Sequence, residues 1–499
     1  MCGIVCLWRT GDASVARRMT ERIAHRGPDD LQVTEAHGAT LGHCRLAIIG
    51  PEDGRQPIHG TGAALVANGE IYNHAALRRE LGEARFATHS DSETILHLAA
   101  TGAPRWIDRL DGMFAFVLAT PHGIVAGRDP LGIKPLYVAR MGGGLAFASE
   151  LKAFDGEAVE GVEAIAPGTL WSTDAASRQW WRIPAGQARP EPGFDTERAA
   201  AELRLLLEAA AAKWTVADVE VGAFLSGGLD SSIMAALAQG ERQARGLPPL
   251  KTFAVGTEGA PDLVAARRVA AHIGSDHHEA TFTPGDVADA LPHVIRHLES
   301  ADVDLVRSAV PTLFAARLAR ERVKAVLTGE GADELFAGYG YHHRMADDPE
   351  ALALELTRSL GTMHNINLQR VDRMTMSVGL EARTPFLDRD LLLFSQTLPA
   401  SLKMRRDPAS GRTVEKWILR RACADLLPSD LVWRAKAQFD EGSGVVAARE
   451  AALGALIGGA VTRAAEGALY ERTLRAAFEA PDRILAMAGR WEDGRVPND

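Results

Sequence analysis

Two rhythms of apolar and polar positions divide the chain. Up to about residue 180, apolar residues come in short runs beside turn-forming pairs. Leu65-Val66-Ala67 stands before Asn68-Gly69, and Met113-Phe114-Ala115-Phe116-Val117-Leu118 follows Asp111-Gly112, a pattern of strands closed by turns. Helical spacing is sparse in this half. It appears over 14–24 and again from Ser90, where Ser90-x-x-Glu93 predicts a capping box ahead of an apolar run. From residue 197 the rhythm changes. A helical run over 197–214 leads into an apolar strand over 219–225, after which strands and helices alternate. Thr252-Phe253-Ala254-Val255 precedes a helix opening near Pro261-Asp262, and Val323-Lys324-Ala325-Val326-Leu327 precedes one opening near Ala332. Such alternation predicts a parallel sheet covered by helices on both faces, with ligands at the carboxyl ends of the strands. Between the halves, Pro184-Ala185-Gly186-Gln187-Ala188-Arg189-Pro190-Glu191-Pro192-Gly193 has no periodicity and concentrates breakers, which places a junction there. From about Glu441 the chain is Ala-rich and helical, with no interpretable motif.

Composition narrows the classes. At roughly 150 residues per domain, 499 residues make two to four domains. Fifty-five basic against 65 acidic residues leave a net charge of −10, so no whole-chain positive field exists to hold nucleic acid or an anionic membrane. With neither a membrane-length apolar stretch nor a leader-like N-terminus, the sequence reads as cytoplasmic. The four cysteines, Cys2, Cys6, Cys44 and Cys423, have neither C-x-x-C nor zinc spacing, which indicates no disulfide framework and no structural zinc.

Three segments carry candidate chemistry. Cys2 follows Met1 directly, and its small side chain suits Met1 to removal. That would leave a thiol and an α-amine of pKa about 7.7 to 8.0 on one residue, nucleophile beside base. Ser226-Gly227-Gly228-Leu229-Asp230-Ser231-Ser232 follows an apolar strand and opens a helix, so its backbone N–H groups suit an anion. It is no Walker A loop, since the chain holds no Gly-Lys dipeptide. Asp230 in that turn is a natural Mg²⁺ ligand, because a hard cation on phosphates seeks carboxylate oxygen. A second acidic turn, Thr328-Gly329-Glu330-Gly331-Ala332-Asp333-Glu334, also follows an apolar strand, so two carboxylate turns face one site.

Taken in order after Cys2-Gly3-Ile4, several motifs resemble class II glutamine amidotransferase domains. They are His25-Arg26-Gly27-Pro28-Asp29, Arg45-Leu46-Ala47-Ile48, Asn68-Gly69-Glu70-Ile71-Tyr72-Asn73, Ser90-Asp91-Ser92-Glu93 and the segment Gly127 to Tyr137. The resemblance implies that Cys2 attacks the glutamine amide and that Asn68 with the Gly69 N–H forms the oxyanion hole. It further implies that Arg45 and Asp91 hold the α-carboxylate and α-ammonium, with Asn68 and Glu70 also on the glutamine. The Ser226–Ser232 motif is similar to the phosphate loop of ATP pyrophosphatases. That likeness implies Ser226, Gly227, Gly228, Asp230 and Ser231 around the pyrophosphate portion of ATP, and Leu225, Val255 and Gly329 around adenine and ribose. It also implies Asp230 and Asp333 on Mg²⁺, Glu330 orienting or deprotonating at the acyl-adenylate step, and Lys436, within Trp433 to Phe439, on the phosphates.

From Cys2 to about Gly444 the chain resembles glutamine-hydrolysing asparagine synthetases of the bacterial type. The implied fold is an α+β N-terminal nucleophile sandwich over 2–183, a linker over 184–194, and an α/β parallel-sheet ATP pyrophosphatase-like domain over 195–499. The implied partners are glutamine, aspartate and ATP with Mg²⁺, with ammonia channelled between sites, and a homodimer as in relatives. One departure bears on the acyl substrate. Asp304-Leu305 falls where such enzymes carry two threonines near the aspartate pocket. Three placements are open: the carboxylate repels aspartate, pairs with the amine of another acyl donor, or points away. The alternative function is the same chemistry on another carboxylic acid, as in natural-product biosynthesis.

Overall fold

The computed structural model describes the chain except residues 11, 61, 407–410, 435–441 and 490–499. Two six-stranded antiparallel sheets form the N-terminal half. In the first, Cys2–Trp8 lies between Ala39–Arg45 and Gly144–Ala148. In the second, Ala63–Ile71 and Gly112–Ala119 are the long central pair. Period-two alternation stacks them. Ile4 and Cys6 meet Val66, Ala115 and Val117 between the sheets, while Val5 and Leu7 turn outward to Ala16 and Met19 of the helix Ala13–Arg22. The far face of the second sheet buries Leu65 and Phe116 against Leu77 and Ile95 of the helices His74–Leu81 and Glu93–Ala100. The expected sandwich of sheets flanked by helices is present.

Two local expectations fail. The strand Ala63–Ile71 runs straight through Asn68-Gly69 instead of ending there, because the full register against Gly112–Ala119 outweighs a local turn preference. The capping box at Ser90 does not form. The Glu93 carboxylate instead accepts the N–H groups of Ala87 and Thr88, each at 2.8 Å, so it closes the preceding turn.

No helix or strand intervenes between Arg178–Gln179 and the helix Thr196–Trp214. That helix is capped by Asp195, whose side chain accepts from Glu197 and Arg198. The connecting segment is docked, with Gln187 donating to Gln396 O at 3.0 Å and accepting from Ala400 N at 2.9 Å. Five parallel strands follow, in the spatial order Asp276–Thr281, Lys251–Gly256, Val221–Phe224, Ala325–Leu327, Glu381–Arg383. The first in sequence, Val221–Phe224, sits in the middle and gains neighbours on both sides, which makes it the switch point where such sheets open a crevice. The C-terminal helices Val445–Ile457 and Arg463–Ala477, uninterpretable as sequence, pack Leu453, Tyr470 and Leu474 into one apolar cluster with Leu291 and with Phe154 of the N-terminal half.

Candidate active sites

Cys2 opens its strand and is buried. Its N–H donates to Asn68 Oδ1 at 2.9 Å, so while Met1 is attached this nitrogen is an amide and not the free amine anticipated from sequence. Burial pushes the Cys2 thiol up, against the lowering influence of the Met1 ammonium, the Leu46 N–H and Arg45. The Asn68 carboxamide is therefore held by its oxygen, and its buried Nδ2 has no hydrogen-bond partner among the described residues. Next to it, Gly69 has φ +145°, and a Cβ there would lie 2.0 Å from Met113 O, so only glycine fits. Phe114, opposite Gly69, instead donates its N–H to Asp129 Oδ2 at 3.2 Å and accepts the Asp129 N–H at its carbonyl at 2.8 Å. The Gly69 peptide edge thus faces away from that neighbouring strand.

Arg45 lies directly across the ladder from Cys2. Its guanidinium donates to the carbonyls of Gly50 at 2.6 Å and Pro51 at 3.0 Å, and so shapes the adjoining loop. Asp91 Oδ2 accepts the Ile71 N–H at 2.6 Å. Glu70 is buried 3.7 Å from Arg383 Nη2, which reaches across from the second half. Burial raises the Glu70 carboxyl well above its usual range, and Glu381 and Asp91 push it the same way. Burial likewise raises Asp91.

The second site is built on two adjacent strand ends. Residues 226–231 follow Val221–Phe224, and residues 328–333 follow Ala325–Leu327. Ser226 and Ser231 tie the first loop into a ring: Ser226 N donates to Ser231 Oγ at 3.2 Å, and Ser231 Oγ donates to Gly228 O at 3.2 Å. Gly227 has φ +76°, and a Cβ there would strike Asp262 O at 2.7 Å. Gly329 lets the loops touch, since its Cβ would stand 2.9 Å from Asp230 Cβ and 3.0 Å from Ser231 N. Asp230 and Asp333 then converge on one cation, Lys416 Nζ, at 2.5 and 2.6 Å. Burial opposes the Lys416 charge, yet the two carboxylates hold it above the ordinary lysine range. Asp230 Oδ1 is buried with no hydrogen-bond partner among the described residues. Glu330 pairs with Arg370. Leu225 and Val255 end neighbouring strands, with Leu225 N donating to Phe253 O at 2.8 Å, and both side chains are buried. Lys436 lies outside the described residues.

Residues 1–170 match the family described as Glutamine amidotransferase domain, and residues 202–354 and 344–494 match the one described as Asparagine synthase. The chain is 38% identical over 466 residues to an asparagine synthetase [glutamine-hydrolyzing] of Asparagus officinalis, covering 89% of this chain and 78% of the relative. It is equally 38% identical to the Arabidopsis thaliana enzyme of that name numbered 3, covering 89% and 79%. The Sandersonia aurantiaca enzyme is also 38% identical, over 89% of this chain and 87% of its own.

The chain belongs to the asparagine synthase family. Its relatives here are plant enzymes, so the likeness carries the family and not the bacterial subtype. The departure at Asp304-Leu305 has a definite structural setting. Both Asp304 oxygens take Arg463 at 2.9 Å, and Leu305 is fully buried in the core. The Asp304 carboxylate is thereby paired with the N-terminal turn of the C-terminal helix Arg463–Ala477. Lys416 and Arg370 are the site residues that sequence reasoning missed. Lys416 lies in Val414-Glu415-Lys416-Trp417, which offers no loop or spacing signal, and has φ +54°. Arg370 sits in a helix with no recognisable motif.

Proposed function

We propose that this asparagine synthase family member makes asparagine from aspartate, ATP and glutamine, releasing glutamate, AMP and pyrophosphate. The observation that carries the reading is the convergence of Asp230 and Asp333 on one point at the switch of the parallel sheet, joined through one apolar cluster to the surroundings of Cys2. That cluster links Leu46, Tyr72 and Met113 on the Cys2 side to Leu225, Leu327 and Ala332 beside the two loops. Ammonia crossing along such a lining stays unprotonated and nucleophilic, whereas in bulk water it is mostly ammonium.

In this reading Cys2, freed of Met1, attacks the glutamine side-chain amide, with its own α-amine taking the thiol proton. The Asn68 Nδ2 group, held by the bond at its oxygen, donates to the developing oxyanion together with the Gly69 N–H. Arg383, 3.7 Å from Glu70, does not offset the burial that raises the crowded carboxyls of Glu70 and Asp91, and the α-ammonium of glutamine supplies a further cation. Arg45 takes the α-carboxylate. In the second site, residues 226–231 cradle the pyrophosphate portion of ATP, and Leu225, Val255 and Gly329 border the nucleoside. The aspartate side-chain carboxylate attacks the α-phosphorus to give β-aspartyl-AMP, with Glu330 as the acid–base group and Lys436 on the phosphates. Asp230 and Asp333 suit Mg²⁺, since two carboxylates and a buried unpartnered Asp230 Oδ1 form a hard oxygen donor set. When bound, the ion neutralises phosphate charge. Lys416 then keeps a fixed positive charge beside the leaving pyrophosphate.

The proposed division is a glutaminase domain over 2–183, a linker over 184–194 and a synthetase domain over 195–499. A cytoplasmic homodimer is part of the same proposal. No helix among the described residues is long and apolar enough to cross a membrane. The test is product analysis of the purified protein with ATP, Mg²⁺, glutamine and aspartate. Asparagine appearing with equal AMP and pyrophosphate supports the reading. Glutamate without asparagine overturns aspartate as the acyl substrate.

A further inference from the structure

One short helix, Asn367–Met376, touches the machinery of both sites. Every residue in it except Arg370 is buried. Toward the ATP loops, Arg370 pairs with Glu330, and Asn367 Nδ2 donates to Glu334 Oε1 at 2.7 Å. Toward the N-terminal half, Asp372 takes a two-pronged pair from Arg26, at 2.8 and 3.1 Å. Arg26 is fully buried, and its Nε donates to the backbone carbonyl of Cys2 at 3.0 Å. The adjacent Arg373 donates to Ser149 O at 3.2 Å, and Ser149 Oγ accepts from Ile4 N at 3.0 Å, on the same strand as Cys2. Lys134 Nζ lies 3.7 Å from Asp372, and Glu150 completes the charge balance at 2.6 Å from Arg26.

Both ends of this connection are rigid. A guanidinium held by two parallel bonds has a fixed plane, and a buried helix moves as a unit because close-packed surroundings resist continuous deformation. A shift of the Cys2 peptide, as glutamine binds or acylates the thiol, is therefore felt by Asp372. A shift of Glu330, as the acyl adenylate forms, is felt by Arg370 less than one helical turn away.

We infer that Asp372 is a positioning residue that couples the two half-reactions, holding Arg26 and hence the Cys2 backbone to the helix that also holds Glu330. The inference rests on the functional reading above and deepens it. It makes glutamine hydrolysis depend on the state of the synthetase site, so that ammonia is released when an acceptor is present.

The experiment compares wild type with Asp372→Asn, reading glutamate formed per asparagine alongside ammonia-dependent AMP release. Loss of coupling is expected to raise the glutamate-to-asparagine ratio about fivefold, in line with ordinary coupling energies, while ammonia-dependent AMP release stays within about twofold. The conservative Asp372→Glu should return the ratio part-way. A folded Asp372→Asn protein with the wild-type ratio would overturn the inference. So would a fall of ammonia-dependent and glutamine-dependent synthesis in equal proportion, which is what a merely structural role produces. Should Asp372→Asn not fold, Arg26→Lys keeps the charge but loses the two-pronged geometry. It must raise the ratio in the same way, and an unchanged ratio sinks the proposal. A wild-type protein that yields glutamate but neither AMP nor asparagine defeats the functional reading instead, which separates the two failures.

Discussion

Asn68 concentrates the argument at the scale of single residues. Its oxygen is engaged by the Cys2 N–H and its amide donors are left over, so Asn68→Ala should lower glutaminase kcat by about 10²- to 10³-fold. Steady-state glutamate release is the check, and a smaller change would remove Asn68 from the oxyanion hole. Cys2→Ala should abolish glutamine use and spare ammonia-dependent synthesis, while retained glutamine-dependent synthesis would refute the nucleophile. Lys416→Met removes the buried cation that the half-buried carboxylates of Asp230 and Asp333 share and leaves their like charges close together. It should eliminate AMP formation and leave glutaminase measurable, read as pyrophosphate release against glutamate release. Cys2, Asn68 and Asp230 were legible in the sequence because each sits in a contiguous motif. Lys416 was not, because nothing local distinguishes a lysine aimed at two distant aspartates from a solvated one.

Among the elements, the joined acidic loops depend on one missing side chain. Gly329→Ala forces a Cβ to within 2.9 Å of Asp230 Cβ and 3.0 Å of the Ser231 backbone nitrogen, neither of which is a flexible tip. The loops must part, and the KM for ATP in ammonia-dependent synthesis should rise about tenfold, as expected when a catalytic geometry slips by a fraction of an ångström. Circular dichroism should remain that of the parent, and an unchanged KM would show that the contact is not needed. Strand and helix order were largely visible as rhythm, since period two and period 3.6 write themselves along the chain. The failures at Asn68-Gly69 and Ser90 share a cause. Both are local turn or cap signals overruled by bonds to neighbouring structure: a strand partner in one case, and the Ala87 and Thr88 N–H groups in the other.

Across the whole molecule, buried charge joins the halves. Burial alone would raise the carboxyls of Glu150 and Asp372, but Lys152, His25, Arg373 and Arg26 hold Glu150, and Arg26, Lys134 and Arg373 hold Asp372, below the ordinary range. A depressed carboxyl stabilises the fold above its unfolded pKa, about 4, and that contribution is lost as pH falls through the folded value. Thermal midpoints should therefore drop on acidification below about pH 4, and less so in Asp372→Asn. An equal drop in the variant would show that other groups carry the acid sensitivity. Glu70 acts oppositely, since its raised pKa favours the folded state as it protonates. Chemical identity was written in segments a few residues long: a cysteine at position 2, a glycine-rich acidic turn after a strand, a second such turn further on. These are legible as sequence because the residues of each motif lie within a few positions of one another. The meeting of Lys416 with Asp230 spans 186 positions, and that of Arg26 with Asp372 spans 346. Only the folded chain brings those partners together, because charges withdrawn from water are held by their attraction to each other across the fold, which no local pattern records.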